Sequence, residues 1–373
     1  MKSFPTPYYI VYEDKLRRNL ELITDVARRA DVEIIMAFKA NALWRTFGIF
    51  RQFGISSTAS SLNEMQLAID ELHCKAHSYC PVYTDQTIDH FIGGSSHITF
   101  NSVAQFNRFR HKCLGKVSCG LRINPMCRVV DTDIYDPSAP GSRFGVTADN
   151  LKQLPEGIEG FHFHALCEST SYDLEKVLTA VEQQFGHFLP QLKWINMGGG
   201  HLMTRDGYDI DHLVRLLTDF KRRYPNLHVI LEPGSAFCWR TGDLITSVID
   251  IVENSGITTA IIDASFACHM PDCLEMPYKP IISEALDSVD TSRPTYRLGG
   301  NSCLSGDFVG DWSFDHHLQP GERLTLEDMN HYTTVKTNMF NGIQHPAILL
   351  QRSNGDIEIL RTFSYDDYRS RMS

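Results

Sequence analysis

The chain has 373 residues, of which 42% are hydrophobic, 10% aromatic and 21% charged, so it has the composition of a globular protein and not of a disordered or fibrous one. Its 35 basic and 45 acidic residues give a formal net charge of −10, which excludes general nucleic-acid binding as an expected function, because phosphate contacts need a basic surface. No segment reaches the roughly 20 apolar residues that a membrane helix requires, so no membrane is expected as a partner.

The N-terminal residues have no apolar core of a signal peptide, and the ten cysteines contain no CxxC pair. This pattern predicts reduced thiols and a cytoplasmic protein. Cys268, His269 and Cys273 form the densest group of potential metal ligands. Because no second ligand pair lies nearby in the sequence, we expect no metal site, and zinc at this group is the minor alternative.

Short apolar runs alternate with longer segments of helical periodicity in the first two thirds of the chain. The runs that we interpret as strands are Glu33–Phe38, Ile55–Thr58, His77–Pro81, Ile98–Phe100, Val117–Ile123, Gly160–Ala165, Trp194–Met197 and His228–Leu231. The clearest helical segments between them are Leu62–Leu72, Val103–Lys112, Tyr172–Phe185 and Tyr208–Tyr224. Eight strand–helix units predict an α/β fold with a closed parallel (β/α)8 barrel; an open doubly wound sheet is the alternative.

The pattern changes after Leu231. Gly242–Val252, Ile257–Ile262, Thr295–Leu298 and Ile357–Phe363 are strand-like runs between turn residues, which predicts a mostly antiparallel β domain. Tyr8–Tyr12 is also strand-like, and we expect it to join this domain. The predicted division is therefore a barrel at residues 13–240 and a β domain made of residues 1–12 and 241–373. The Pro-, Asp- and Ser-rich segment Pro125–Thr147 is expected to be an ordered loop over the barrel mouth.

Functional groups of a parallel barrel lie at the C-terminal ends of its strands. The first predicted strand leads into Lys39, which is either a solvated surface amine or a partly desolvated amine that can react with an aldehyde. The sixth carries His162 and His164, which alternation places on one side of the strand, where they are either core histidines or part of a site. Each feature alone has a structural explanation.

The last two predicted barrel strands end in glycine-containing turns. Gly198, Gly199 and Gly200 follow the seventh strand, where backbone N–H groups can surround an anion, although the segment lacks the spacing of ATP- and dinucleotide-binding loops. Glu232 and Gly234 follow the eighth, and the carboxylate can pair with a protonated ring nitrogen or with an arginine. An aldehyde, a phosphate and a basic ring nitrogen occur together in pyridoxal 5′-phosphate.

At these positions the sequence resembles the barrel-type pyridoxal-phosphate decarboxylases, a family related to ornithine and diaminopimelate decarboxylases and to alanine racemase. The resemblance extends over essentially the whole chain. Its cofactor motifs are Met36-Ala-Phe-Lys-Ala-Asn41, Phe163-His164, Gly198-Gly-Gly200 and Glu232-Pro-Gly234. Two further motifs lie in the predicted β domain: Asn301-Ser-Cys303, and Tyr332, eight residues before Phe340-Asn-Gly342.

The resemblance implies a role for each matched residue. Lys39 would bind the cofactor covalently, His164 would stack on its ring, and Glu232 would face the ring nitrogen. The implied cofactor-binding set is Lys39, His164, Gly198, Gly199, Gly200, Glu232, Gly234 and Tyr332. Cys303, with Lys39 as the alternative, would reprotonate the product. Because Cys303 would enter the site of a partner subunit, the resemblance also implies a homodimer with active sites at its interface.

Within the family, the carboxynorspermidine and carboxyspermidine decarboxylases are the most similar branch, since Asp263–Tyr278 and Gly300–Asp307 resemble theirs. The expected reaction forms norspermidine or spermidine in polyamine biosynthesis. The residues expected to bind the substrate are Glu232, Asp272, Glu275 and Asp307. Ser235 and Thr58 stand where many relatives have arginine and aspartate, so ornithine or diaminopimelate specificity is not transferred. A diaminopimelate decarboxylase, an amino-acid racemase and a non-catalytic decarboxylase-like regulator remain alternatives.

Overall fold

A computed structural model describes residues 4–130 and 136–373. By their internal contacts these residues form two compact units. One is Arg18–Phe237, and the other combines the residues up to Arg17 with Cys238–Ser373. The domain boundaries expected from the sequence, at residues 12/13 and 240/241, stay a prediction. In the described part of the chain, no helix is both long enough and apolar enough to cross a membrane.

Strands and helices alternate through most of the first unit, whereas strands predominate in the second. The strands are β1 (Tyr8–Tyr12), β2 (Glu33–Ile34), β3 (Met36–Ala37), β4 (Ser57–Ala59), β5 (Ala76–Tyr79), β6 (Ser95–Phe100), β7 (Ser118–Arg122), β8 (Gly160–His162), β9 (Trp194–Asn196), β10 (His228–Leu231), β11 (Gly242–Asn254), β12 (Ile257–Ile262), β13 (Thr295–Gly299), β14 (Phe308–Ser313), β15 (Arg323–Leu326), β16 (Ala347–Gln351) and β17 (Ile357–Arg361). The α-helices are α1 (Glu13–Ala30), α2 (Phe47–Gln52), α3 (Leu62–Leu67), α4 (Ile88–Gly94), α5 (Val103–Cys113), α6 (Ser171–Phe185), α7 (Ile210–Arg223), α8 (Ser235–Cys238), α9 (Phe266–His269), α10 (Asp272–Glu275) and α11 (Tyr365–Met372).

The parallel strands of the first unit close into a barrel. Their order is β2-β10-β9-β8-β7-β6-β5-β4-β3. β2 and β3 are consecutive in the chain and are separated only by Ile35. Because β2 pairs with β10 while β3 pairs with β4, this segment joins both edges of the sheet. The predicted closed parallel barrel is therefore confirmed against the open sheet, and each of the eight predicted strands is present.

In the barrel helix α6, a capping residue and an apolar face occur together. At the start of α6, the Thr170 side chain accepts a hydrogen bond from the Asp173 amide, and the Asp173 carboxylate accepts one from the Thr170 amide. The side chains of this helix that face the barrel are Leu174, Val177, Leu178, Val181 and Phe185. Burial of each large apolar side chain stabilises the fold by about 1.5–3 kcal/mol.

The second unit is built on a mostly antiparallel sheet in the order β14-β13-β12-β11-β1-β16-β17, with β15 also paired to β11. The N-terminal strand β1 lies inside this sheet, antiparallel to β11 and parallel to β16, as predicted. Large side chains such as Val248, Leu298 and Trp312 are buried in its core. β14, β15 and β16 were not predicted as strands.

Candidate functional site

A cavity of about 750 Å³ opens at the C-terminal ends of the barrel strands. This volume is in the range of small-molecule and cofactor sites. Its walls include the side chains of Lys39, Thr58, Tyr79, Arg122, His162, His164 and Glu232. Ser60, Pro81 and residues between Asp136 and Phe144 complete the lining. Those between Asp136 and Phe144 belong to the segment predicted as a loop over the barrel mouth, of which residues 131–135 lie outside the described residues.

Lys39 follows β3 and extends its side chain into the cavity. Its Nζ lies 3.5 Å from Nε2 of His164. The Lys39 side chain is open to the cavity, but protein atoms surround most of Nζ. This burial lowers the pKa of the Lys39 amine, although the negative charge of Glu232 acts to raise it. A lower pKa increases the unprotonated, nucleophilic fraction of an amine, as an aldehyde-binding lysine requires.

Glu232 follows β10 and has one hydrogen-bond donor on each carboxylate oxygen. His162 Nε2 lies 2.9 Å from Oε1, and Asn196 Nδ2 donates to Oε2 at 3.0 Å. Burial alone would raise the pKa of Glu232, but His162, Lys39 and Asn196 more than offset it and hold the pKa at about 2. The carboxylate is therefore ionised at neutral pH and can accept a hydrogen bond from a protonated ring nitrogen.

His164 is held by the backbone of the glycine segment. The Gly199 amide donates to Nδ1 of His164 at 3.1 Å. Burial, with the nearby Lys39 and Arg122 cations, keeps the pKa of His164 well below its usual value. The ring is thus neutral, and because Nδ1 accepts a hydrogen bond, its proton is assigned to Nε2.

The three glycines after β9 are required by close approach of the backbone. Gly198 and Gly200 have φ angles of +72° and +87°, and a Cβ atom would lie 2.3 Å from the Phe163 oxygen at Gly198 and 2.4 Å from the Leu166 backbone at Gly200. The Gly198 amide donates to Asn196 Oδ1 at 2.8 Å. Since the Gly198 and Gly199 amides bind protein atoms, these two residues shape the segment, and their predicted phosphate contacts stay a prediction.

Gly234 brings the turn after β10 against the segment that follows Lys39. A Cβ atom there would lie 2.5 Å from the Cβ of Ala40. Any larger residue would push the Glu232-Pro-Gly turn away from the lysine. The structure thus brings Lys39, His164, the glycine segment, Glu232 and Gly234 together in one unit.

Arg122 is a cavity residue that we did not identify from the sequence. It is 4% exposed, its guanidinium lies 4.6 Å from the ring centroid of Tyr79 and 4.4 Å from that of Phe144, and Nη2 donates to the His164 carbonyl at 3.2 Å. The available signal was a charged residue at the end of the apolar run Val117–Ile123. Burial lowers the pKa of Arg122 but leaves it a cation, so the cavity holds a fixed positive charge beside His164.

Asp307, predicted to bind a substrate amine, is fully engaged within the second unit. It is 4% exposed and accepts hydrogen bonds from Ser265 Oγ at 2.8 Å, from the Ala267 amide at 2.9 Å and from Ser302 Oγ at 2.6 Å. Each carboxylate oxygen thus already accepts at least one hydrogen bond from the protein, and these bonds anchor the segment that carries Cys303. The predicted contact of Asp307 with substrate stays a prediction.

Asp272 and Glu275, the other predicted ligands of a distal amine, share one lysine. Lys336 Nζ forms ion pairs with the Asp272 carboxylate and, at 2.6 Å, with Oε2 of Glu275. A substrate cation would have to displace or join this ammonium group. The two acidic residues do lie together, but their predicted contact with substrate stays a prediction.

Cys303 is exposed, and its amide donates to Oδ1 of Asn341 at 2.8 Å. Asn341 belongs to the Phe340-Asn-Gly342 motif and has a φ of +59°. Tyr332, eight residues before that motif, also has a positive φ, of +53°. Two of the sequence motifs of the second unit are therefore linked directly, by the hydrogen bond between Cys303 and Asn341.

Pyridoxal 5′-phosphate fits the residues of the barrel cavity. Lys39 supplies an amine of lowered pKa, Glu232 supplies an ionised carboxylate, and His164 supplies a neutral aromatic ring.

Comparisons with known proteins agree with this fit. The sequence model of the family described as "Pyridoxal-dependent decarboxylase, C-terminal sheet domain" matches residues 11–330. A carboxyaminopropylagmatine decarboxylase of Synechocystis is 46% identical, covering 100% of this chain and 96% of the relative. A carboxynorspermidine/carboxyspermidine decarboxylase of Campylobacter jejuni is 37% identical, covering 99% of each chain.

A solved structure has the same fold. The carboxynorspermidine decarboxylase from Campylobacter jejuni, determined in complex with norspermidine, superimposes with a TM-score of 0.91 at 37% identity, covering 99% of this chain and 100% of that one. Together with the family match and the residues of the cavity, this shows that the chain belongs to the pyridoxal-dependent decarboxylases and uses pyridoxal 5′-phosphate as its cofactor.

Proposed function

We propose that this enzyme decarboxylates carboxynorspermidine to norspermidine and carboxyspermidine to spermidine. The observation that carries the proposal is the placement of Lys39, His164 and Glu232 around one cavity, in a chain whose relatives of 35–37% identity are named for these substrates. Pyridoxal 5′-phosphate supplies an aldehyde and an electron-accepting ring that stabilises the negative charge left by loss of CO₂.

Each of the side chains in the barrel cavity is assigned a separate role toward the cofactor. Lys39 would hold the cofactor through its amine. Glu232, which the donors on both oxygens keep ionised, holds a proton on the ring nitrogen and so increases the electron demand of the ring. His164 would stack on the ring, and the glycine segment, Gly234 and Tyr332 would bind the phosphate.

Reprotonation of the substrate carbon is assigned to Cys303, with Lys39 as the alternative donor. We further propose that the enzyme is a homodimer in which Cys303 enters the site of the partner subunit. The exposure of Cys303 and its position on an anchored segment support this assignment. A cytoplasmic location is supported by the ten cysteines, all of which are free thiols.

A second candidate substrate is carboxyaminopropylagmatine, since a relative named for it shares 46% identity over the full chain. The two substrate types differ at the distal end, where agmatine carries a planar guanidinium in place of an ammonium group. A guanidinium favours bidentate contact with a carboxylate, whereas an ammonium binds as a point charge. Specificity therefore depends on the geometry of the acidic groups at the far end of the site.

The test compares CO₂ release by purified enzyme with pyridoxal 5′-phosphate on four substrates at equal concentration. These are carboxynorspermidine, carboxyspermidine, carboxyaminopropylagmatine and meso-diaminopimelate. The proposal predicts the highest kcat/KM on the carboxylated triamines, and Lys39→Ala is the inactive control. A preference for carboxyaminopropylagmatine would establish the second candidate, and release from diaminopimelate alone would contradict both.

A further inference from the structure

We propose that His162 is a positioning residue, which orients the Glu232 carboxylate and keeps it a hydrogen-bond acceptor for the cofactor's ring nitrogen. The inference rests on the proposed role of Glu232 at that nitrogen. His162 itself is the last residue of β8 and is 1% exposed. It would act through Glu232 rather than by binding substrate.

The carboxylate is held from two adjacent strands. His162 Nε2 lies 2.9 Å from Oε1, and Asn196 Nδ2, at the end of β9, donates to Oε2 at 3.0 Å. The Asn196 amide cannot reverse, because its Oδ1 accepts the Gly198 amide at 2.8 Å. The Asn196 contact thus fixes one oxygen of Glu232, and the orientation of the other depends on His162.

The proton of His162 lies on the side of Glu232. Nδ1 is buried and has no hydrogen-bond partner in the described residues. A proton on Nδ1 would therefore be unpaired, whereas a proton on Nε2 is donated to Glu232. Burial lowers the pKa of His162, although Glu232 opposes this shift. His162 is therefore a neutral donor. Because each oxygen of Glu232 accepts a hydrogen bond, protonation of the carboxylate would break one of the two bonds. The ionised form is therefore favoured.

Loss of the His162 donor leaves the other charged and titratable groups near Glu232 in place. These are Lys39, Arg122, His77 and His201. The carboxylate would then be buried with one donor fewer, so its proton affinity would rise. A hydrogen bond to a charged group contributes about 1.5–3 kcal/mol, which corresponds to about 10- to 150-fold in an equilibrium constant.

The experiment measures binding of pyridoxal 5′-phosphate to apoprotein between pH 5 and 9, by protein fluorescence and by the visible absorbance of the bound cofactor. His162→Leu and His162→Asn remove the donor near Glu232, whereas His162→Gln can place its Nε2 where the imidazole Nε2 lies. His97→Gln, at another barrel histidine, is the control. Circular dichroism and thermal unfolding of each apoprotein establish that it is folded.

His162→Leu and His162→Asn are expected to raise the Kd by about 10-fold or more at pH 6. A rise of this size in the proton affinity of Glu232, from a pKa of about 2, keeps its pKa below about 5, so the weakening should persist throughout pH 5–9, while His162→Gln and His97→Gln stay near wild type. Folded His162→Asn protein with wild-type Kd would overturn the inference, as would a His162→Gln variant as defective as His162→Leu. Cofactor binding is measured without substrate, so this test of His162 is independent of which substrate the enzyme uses.

Discussion

The Gly199 amide donates to Nδ1 of His164 at 3.1 Å. This contact orients the imidazole and places its proton on Nε2, which faces Nζ of Lys39. The glycine segment therefore fixes the orientation of the ring that is proposed to stack on the cofactor.

Gly199→Ala should disturb this relationship. A Cβ atom at Gly199 would lie 2.6 Å from the Glu232 carbonyl oxygen, so the backbone must move and the hydrogen bond to His164 must lengthen. We expect a loss of about 1–3 kcal/mol in the free energy of unfolding, together with weaker cofactor binding. Urea denaturation and fluorescence titration measure the two effects. Gly93→Ala, with no atom within 4 Å of the new Cβ, is the matched control and should bind cofactor normally.

The sequence was sufficient to predict the barrel and most of its cavity. The alternation of apolar strands and amphipathic helices can be recognised from the sequence pattern alone. Lys39 and Glu232 could be placed because they lie close to strand ends. β14 was missed because Gly310 and Asp311 interrupt its apolar pattern, and β15 because it has only four residues. β15 (Arg-Leu-Thr-Leu) does alternate polar and apolar residues, but only over these four positions.

Asp307 and Arg122 show why the rest of the site needed the structure. The hydrogen-bond donors to the Asp307 carboxylate include Ser265 and Ala267, which are 42 and 40 positions away in the sequence. The aromatic rings around Arg122 come from two other segments of the chain. A buried, fully engaged charge and a solvated one look alike in sequence, because their partners are set by the fold.

Asp307→Asn should reduce stability and turnover without weakening substrate binding. An amide can accept at only one atom, so one or more of the donors from Ser265, Ala267 and Ser302 loses its partner and the segment of Cys303 loosens. We expect a loss of about 1.5–3 kcal/mol in the free energy of unfolding, with an unchanged KM and a lower kcat. Asp287→Asn, at an exposed aspartate, is the control. A KM raised at least tenfold with unchanged stability would restore Asp307 as a substrate ligand.

Cys303→Ala tests the proton donor. If the thiol reprotonates the substrate carbon, kcat should fall by about 10²–10⁴-fold, or protonation should shift to the cofactor and yield an aldehyde by-product. Chromatography of the products with steady-state kinetics distinguishes these outcomes. Cys74→Ala, at a half-buried thiol, serves as the control. Wild-type rate and product from Cys303→Ala would remove Cys303 from this role.

Lys39→Ala should abolish covalent binding of the cofactor. In the wild-type enzyme, borohydride reduction should fix the cofactor on the peptide that contains Lys39, and mass spectrometry detects the added mass. Because the pKa of the Lys39 amine is lowered, the reaction should proceed near neutral pH, where most lysines are protonated. Modification of a different lysine with equal yield would contradict the assignment.

Acid should destabilise the barrel through two partly buried groups, His97 and Glu33. Burial lowers the pKa of His97 to about 3 from its usual 6.5, so its stabilising contribution is lost progressively as the pH falls below 6.5. The hydrogen bond with His228 lowers the pKa of Glu33 to about 2, so its contribution is lost between pH 4.5 and 2. His97→Gln should therefore flatten the fall in unfolding free energy between pH 6.5 and 4, measured by urea denaturation. A slope identical to wild type would show that His97 does not titrate on unfolding.

The most direct test of the whole account is the product formed from carboxynorspermidine by the wild-type enzyme with pyridoxal 5′-phosphate. The account predicts norspermidine and CO₂ in equal amounts, with formation abolished in Lys39→Ala and reduced in Glu232→Gln. Failure to form triamine by a folded enzyme with cofactor fixed on Lys39 would contradict it.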